Sequence, residues 1–272
     1  MSQAKHQSIF GDAEEVEVKP AAGVWDGRMP ESLDEQVEFF KREGFLVLRN
    51  VLDRDDLEEL DRALQDIIDR RESLTPVREG FDLEKKQDPT TGRPAFRKIG
   101  GITAYSDAFD KLMRHPRILD RLHPIMGDTI QLWRDVCMMK PARVGREKPW
   151  HQDSSYWPWE PMSLVSAMTA LDDATPENGC LQVIPRTHHD VMQHFGKELQ
   201  VEIDGELQAR TLYVPLKAGD TLLFHSLLLH ASEPNRSDRN RRVCIISYKT
   251  PYTEYIGKGE PRECPLVSER KA

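Results

Sequence analysis

The residues of this 272-residue chain best equipped for chemistry lie in Trp150-His151-Gln152-Asp153. An imidazole and a carboxylate two positions apart on an extended segment point the same way. His151 and Asp153 could therefore hold one metal ion from the same face. A third ligand must come from elsewhere. The candidate is His230, at the end of Leu222-Leu223-Phe224-His225-Ser226-Leu227-Leu228-Leu229-His230. His225 competes with it. On a regular strand His225 faces away from His230, and alternation alone does not choose between them. Two histidines and one carboxylate on one side of an ion leave the opposite positions open, the donor arrangement of non-haem Fe(II) oxygenases.

The pair alone is weak. With 9 His and 46 acidic residues, chance supplies about one or two His-x-Asp/Glu steps. The chain has two, the other being His188/Asp190. A second requirement sharpens the reading. Fe(II) needs two further electrons to activate O2, and 2-oxoglutarate supplies them. Its 2-oxo acid end chelates the metal and its far carboxylate needs a buried cation. Arginine suits, because its fork holds a carboxylate bidentately. Arg241 and Arg242 lead into Val243-Cys244-Ile245-Ile246. An arginine heading an apolar strand can point inward; the alternative is that both are solvated at a loop–strand junction.

The elements that must position these residues can be read in order. Residues 1–30 read as a flexible arm. Ser32 should cap a helix carrying Leu33, Val37 and Phe40, with Gly44 just past its end. Phe45-Leu46-Val47-Leu48 reads as a strand. Asp53 should cap a second helix with Leu57, Leu60, Leu64, Ile67 and Ile68 as its core stripe. From Arg71 to Arg93 the polar chain, broken by Pro76, Gly80, Pro89 and Gly92, reads as a long loop, either a lid or an insertion. Phe96–Ile99 is a candidate strand, and His115-Pro116 begins a helix closed by Gly127. Thereafter short strands are expected over 128–139, 164–171, 180–184, 211–216, 221–230 and 242–248, with turn signals between them. Helices followed by many short strands predict a mainly β fold with buttressing helices (α+β) around a jelly-roll, cupin-like double-stranded β-helix. The expected division is a helical part 31–127, a core 128–250 and a tail 251–272 within one domain.

Composition sets bounds. Net charge is −8 with 31% charged residues, which argues against nonspecific nucleic-acid binding. No apolar run of membrane-spanning length occurs. Met1 to Pro20 lacks the basic-then-apolar pattern of a secretory signal. Cys137, Cys180, Cys244 and Cys264 are widely spaced and read as free thiols in a reducing compartment, so a cytoplasmic location is expected.

The motifs together resemble the phytanoyl-CoA dioxygenase family of Fe(II)/2-oxoglutarate enzymes. The resemblance rests on His151-Gln152-Asp153, Tyr156-Trp157-Pro158-Trp159, Asn178-Gly179-Cys180-Leu181 and Pro185-Arg186-Thr187-His188. It continues through Phe224-His225-Ser226-Leu227, His230-Ala231-Ser232 and Asn235, and touches Glu43-Gly44-Phe45-Leu46-Val47-Leu48. It covers roughly residues 31–250. The resemblance implies that His151, Asp153 and His230 bind Fe(II), rather than His225 or His188. It implies that Arg241, rather than Arg242, binds the distal carboxylate of 2-oxoglutarate, with Ser232 donating a hydrogen bond, Lys98 reaching the cosubstrate and Gln152 bonding near the metal. Halogenating relatives have Gly or Ala at position 153, so a carboxylate there implies hydroxylation or a related oxidation with O2 rather than halogenation, releasing succinate and CO2. The mammalian acyl-CoA enzyme has a Trp where this chain has Met168-Thr169. Tyr156, Trp157 and Trp159 could line the mouth for a small-molecule substrate, or pack beneath the 71–93 segment. The competing readings are a cupin-like isomerase or hydrolase, which would need no Arg241, and a noncatalytic binding module.

Overall fold

Ser32 opens the first helix as the sequence predicts. The structure is a computed structural model that describes residues 22–270 except 78, 90, 91 and 198. In it the Ser32 hydroxyl accepts from the Glu35 amide while Glu35 reaches back to the Ser32 amide, a reciprocal cap. Helix α1 (Leu33–Glu43) ends where Gly44 turns left-handed at φ 84. A side chain there would meet His188 Nδ1 at 2.5 Å, so only glycine fits. Asp53 and Asp56 cap α2 (Arg54–Arg70) in the same way, and Leu60, Leu64 and Ile67 form its buried stripe. Two further helices, α3 (Asp107–Met113) and α4 (Pro116–Met126), complete the helical layer; α3 was not expected. A short helix α5 (Gly205–Ala209) lies between later strands.

Two sheets face each other. The smaller has the order β1 (Gly23–Val24), β10 (Leu212–Val214), β9 (Leu181–Val183), β12 (His230–Ser232), β6 (Lys148–His151). The larger runs β2 (Phe45–Leu48), β11 (Thr221–His225), β8 (Val165–Ala170), β13 (Arg241–Lys249), β5 (Thr129–Lys140), β4 (Pro94–Gly100), β3 (Phe81–Gln87), with β15 (Leu266–Glu269) added on β5. A separate pair joins β7 (Trp159–Glu160) and β14 (Glu254–Tyr255). Alternation divides the large sheet into two faces. Phe224, Met168 and Val243 look toward the small sheet and pack with Val183 and Val214. Leu223, Ala167, Cys244 and Ile246 look outward and pack under the helices with Leu64, Phe109 and Ile118. The result is the double-stranded β-helix with helical buttresses that the strand pattern implied.

Two expectations are corrected. The 71–93 segment is not one loop: its second half is β3, hydrogen-bonded to β4. The strand Phe81-Asp82-Leu83-Glu84-Lys85-Lys86-Gln87 lies at the edge of its sheet. Edge strands carry charge that discourages further pairing, and that charge makes them read as loop. The run 221–230 is not one strand. Thr221–His225 belongs to the large sheet and His230–Ser232 to the small one, with a buried turn between them in which the Leu228 amide donates to His225 O at 2.8 Å. The tail 251–272 carries β14 and β15, and both pair. At the other end, Gly23–Val24 pairs in parallel with β10, so that part of the expected arm is attached, while residues 1–21 lie outside the described residues. Among the described residues no helix is long and apolar enough to cross a membrane.

Candidate active site

His151 ends β6 and His230 begins β12, and the register places them directly opposite each other. Their rings lie 4.1 Å apart between centroids. Asp153 follows in a single 3-10 turn, Asp153–Tyr156, entered through an extended Gln152 (φ −114, ψ 129). That extended residue returns the carboxylate to the face of His151. Asp153 Oδ1 is 3.5 Å from His151 Nε2 and 3.8 Å from His230 Nε2. The three ligand atoms lie within 4.8 Å of one another, and no other such group of three His, Cys, Asp or Glu occurs among the described residues.

The protonation states suit a divalent cation. His151 Nδ1 faces Pro149 O at 2.8 Å and His230 Nδ1 faces Leu228 O at 2.8 Å. A carbonyl only accepts, so each Nδ1 carries the proton and each Nε2 presents its lone pair to the site. Burial, aided by neighbouring His151, pulls the His230 pKa down to about 4 and keeps that ring neutral. Burial opposes ionisation of Asp153, but the contacts with His151, His230 and Arg134 outweigh it, holding its pKa at about 2. An Nε2 facing the site on each histidine and an ionised carboxylate are the ligand set a metal requires.

These groups line a cavity of about 530 Å³, a size typical of small-molecule sites. Arg241 heads β13 and lines the same cavity. It is 6% exposed. Its Nη2 donates to Gly179 O at 3.0 Å, its Nε has no partner, and it makes no ion pair among the described residues. Burial lowers its pKa to about 10. A buried guanidinium without a carboxylate is costly, so Arg241 is suited to receive an anionic group in the cavity. Arg242, by contrast, pairs outside the cavity with Asp172 at 2.8 Å and with Asp61 at 2.5 Å. Ser232 lines the cavity two residues beyond His230. Beside Arg241, Lys140 Nζ donates to Arg146 O, Glu233 O and Ser232 O at 2.5, 2.7 and 3.4 Å. Gly179 turns at φ +82 against Glu233 O and the Lys140 side chain, which lets its own carbonyl reach Arg241.

The other sequence candidates separate. Lys98 lines the cavity but its ammonium is held by Glu79 Oε2 at 2.8 Å. Tyr156 and Trp157 line the cavity, and Tyr156 packs edge-on against His151. Trp159 does not: it is buried behind Trp133, 5.2 Å between centroids, under the Lys249 ammonium. Gln152 is corrected too. Its fully buried amide donates to Asp190 O and Leu227 O at 2.8 and 2.6 Å and accepts from the Met192 amide, so it ties down the segments behind the site. His225 accepts from the Leu227 amide and packs on His188, and His188 faces Lys41 O; neither reaches the cavity. Met168 lines it, whereas Thr169 turns away to Thr221.

Among the cavity residues that were not foreseen are Glu79, Trp133, Arg134 and Arg262. Glu79 holds Arg134 with both carboxylate oxygens, the second at 2.9 Å, as well as Lys98. Burial alone would raise its pKa, but Arg134 and Lys98 lower it to about 2. A depressed carboxylate pKa stabilises the fold above the ordinary value of 4.5, and the contribution is lost as pH falls toward 2. Glu79→Gln should therefore lower stability to urea at pH 7, with the deficit against the native chain shrinking as pH falls below 4.5. Urea titrations at neutral and acid pH check this.

A double-stranded β-helix holding a His-Asp-His triad and a carboxylate-seeking arginine in one cavity defines a non-haem Fe(II)- and 2-oxoglutarate-dependent dioxygenase. Residues 40–243 match the model of the phytanoyl-CoA dioxygenase (PhyH) family, and the chain belongs to that family. It is 29% identical over 248 residues to the peroxisomal phytanoyl-CoA dioxygenase of Rattus norvegicus, covering 84% of this chain and 72% of the relative. It is 25% identical to the L-proline trans-4-hydroxylase of Streptomyces griseoviridis, covering 79% and 85%. The solved structure of EctD from S. alaskensis with bound Fe superposes with a TM-score of 0.70 at 25% identity, covering 89% and 85%.

Proposed function

We propose that this dioxygenase hydroxylates a small molecule, with His151, Asp153 and His230 as the Fe(II) ligands and Arg241 and Ser232 as the seat of the 2-oxoglutarate distal carboxylate. When bound, Fe(II) and 2-oxoglutarate supply the oxidising equivalent from O2 that replaces a substrate C–H by C–OH, with release of succinate and CO2. The chain's own contribution is positional. The carbonyls of Pro149 and Leu228 fix the imidazole tautomers. Gln152, bonded to Leu227 O, holds the strand crossing between the two sheets. Trp157, Phe224 and Met168 form an apolar stretch of the cavity wall that limits water around the reacting atoms. The carboxylate at 153 fills the position that halogenating relatives leave open, which favours hydroxylation. Four free cysteines, three of them buried, support a reducing, cytoplasmic setting.

One observation carries the reading: a metal-competent triad and a buried arginine with no carboxylate face one cavity. A cupin-like isomerase or hydrolase that uses no 2-oxoglutarate would have no use for Arg241. Anaerobic addition of Fe(II) and 2-oxoglutarate should produce the weak visible charge-transfer band of a chelated 2-oxo acid. Absence of that band in the native chain would refute the assignment. Substrate-stimulated succinate release would then identify the substrate.

A further inference from the structure

The cavity has a second cationic end. Arg241 pairs in register with Lys140, and six residues along the same two strands Ser247 pairs with Arg134. Strand rise puts about 20 Å between the two ends. At the far end Arg134 and Lys98 share the single carboxylate of Glu79. Arg262, from the segment between β14 and β15, lies over the Trp133 ring at 4.2 Å and donates to Trp133 O. Arg262 is close enough to Glu79 and Arg134 for both to affect its ionisation, although burial has the largest influence. Three cations thus gather around one carboxylate.

This surplus is not consumed by the cofactors. The Fe(II) charge is matched by Asp153 and by the metal-binding end of 2-oxoglutarate, and Arg241 is matched by the distal carboxylate. Lys140 apart, the remaining charges on the cavity wall also cancel: Arg146 pairs with Glu84 at 2.6 Å, and Arg97 and Lys148 are matched in number by Asp82 and Glu147. Lys140 is occupied by backbone carbonyls. Uncompensated cations on a partly desolvated wall repel one another and attract an anion. Their neighbours are apolar, with Trp133 and Trp157 at the cavity wall and Met168 and Ile245 further in.

Resting on the dioxygenase assignment above, we propose that the substrate carries an anionic group, a carboxylate or a phosphonate. Arg262 seats it at the end opposite Arg241, beside the Arg134–Glu79–Lys98 cluster. The hydrocarbon part of the substrate lies against Trp133, Trp157 and Met168. The anion then anchors one end of the substrate while the metal faces a carbon further along it. Arg262 is the specificity residue, because Nε and Nη2 of Arg134 are already engaged by Glu79.

The test uses the full chain loaded anaerobically with Fe(II) and 2-oxoglutarate. The probes are phenylacetate, its neutral isostere phenylacetamide, and benzylphosphonate. Binding is read as a perturbation of the charge-transfer band and as tryptophan quenching. Phenylacetate or benzylphosphonate should bind at least about ten-fold more tightly than phenylacetamide, the value of one charge-assisted hydrogen bond. Arg262→Gln should abolish that preference without weakening the amide, and Arg262→Lys should restore part of it. Whichever anion binds more tightly in the native chain names the headgroup. Equal or tighter binding of the amide, binding of neither anion, or an unchanged preference in Arg262→Gln overturns the proposal. The band itself does not depend on Arg262, so its absence in the native chain would count against the dioxygenase assignment and its presence isolates the substrate claim.

Discussion

Asp153→Ala should abolish substrate-dependent succinate release while leaving the fold intact. Altering a group that only supports a metal ligand typically costs 10–100-fold, so losing a ligand should cost at least about 100-fold. Asp153 is the only anionic member of the triad, and its low pKa keeps it ionised throughout the neutral range. Removing it leaves two neutral imidazoles to hold a dication. Asp153→Asn separates charge from shape: it keeps the side chain's size and one carbonyl oxygen but removes the negative charge. If charge dominates, Asn should behave like Ala in an anaerobic Fe(II) titration. If position dominates, Asn should recover most of the metal affinity. Near-native turnover in Asp153→Ala would remove this residue from the metal site. The expected cost to the fold is small, because Asp153 sits on a turn at the cavity surface and packs no part of the core.

The second large effect is at Arg241. Truncating one partner of a buried charge pair costs about 2–5 kcal/mol, so Arg241→Ala should weaken 2-oxoglutarate binding by roughly 30-fold to several thousand-fold. Fe(II) affinity should barely change, because Arg241 contacts none of the triad. Arg241→Lys should recover only part of the loss, since an ammonium cannot reproduce the bidentate fork. Titrating the charge-transfer band with 2-oxoglutarate measures the effect directly. The same burial has an opposite consequence without the cosubstrate. The guanidinium is then desolvated with only Gly179 O for compensation, so an apolar replacement such as Arg241→Met should unfold at a higher temperature than the cofactor-free native chain. A cosubstrate affinity unaffected by Arg241→Ala would place the distal carboxylate elsewhere.

Much of this was legible in the sequence, and the reasons differ by region. Ser32, Gly44 and Asp53 act locally, through caps whose geometry spans three or four residues, so pattern alone locates α1 and α2. Asp153 was legible because a single extended residue separates it from His151. The choice of Arg241 over Arg242 was not a local matter. It came through the family resemblance, and the structure explains it by register: Arg241 faces the cavity with Lys140, while Arg242 faces the helices and Asp61. Strand β3 was hidden because a charged edge strand and a polar loop have the same composition. Trp133, Arg134 and Arg262 were hidden for another reason. The register between β13 and β5 shifts after Ser247, which changes the phase of alternation at Trp133, and no sequence period announces that shift. Arg262 reaches the cavity from a segment that has neither apolar periodicity nor a motif. Trp159 shows the reverse error: an aromatic next to a metal motif looked like a substrate contact and is a strut behind one.

The crossing between His225 and His230 carries a mechanical consequence. His151, His230 and Ser232 belong to the small sheet, whereas Arg241 belongs to the large one. On the proposed assignment, a single 2-oxoglutarate molecule held at one end through the metal and at the other by Arg241 would span the two layers like a rivet. Cofactor loading and the spacing of the sheets are then one thermodynamic variable: whatever separates the layers releases the cosubstrate, and a filled site resists their separation.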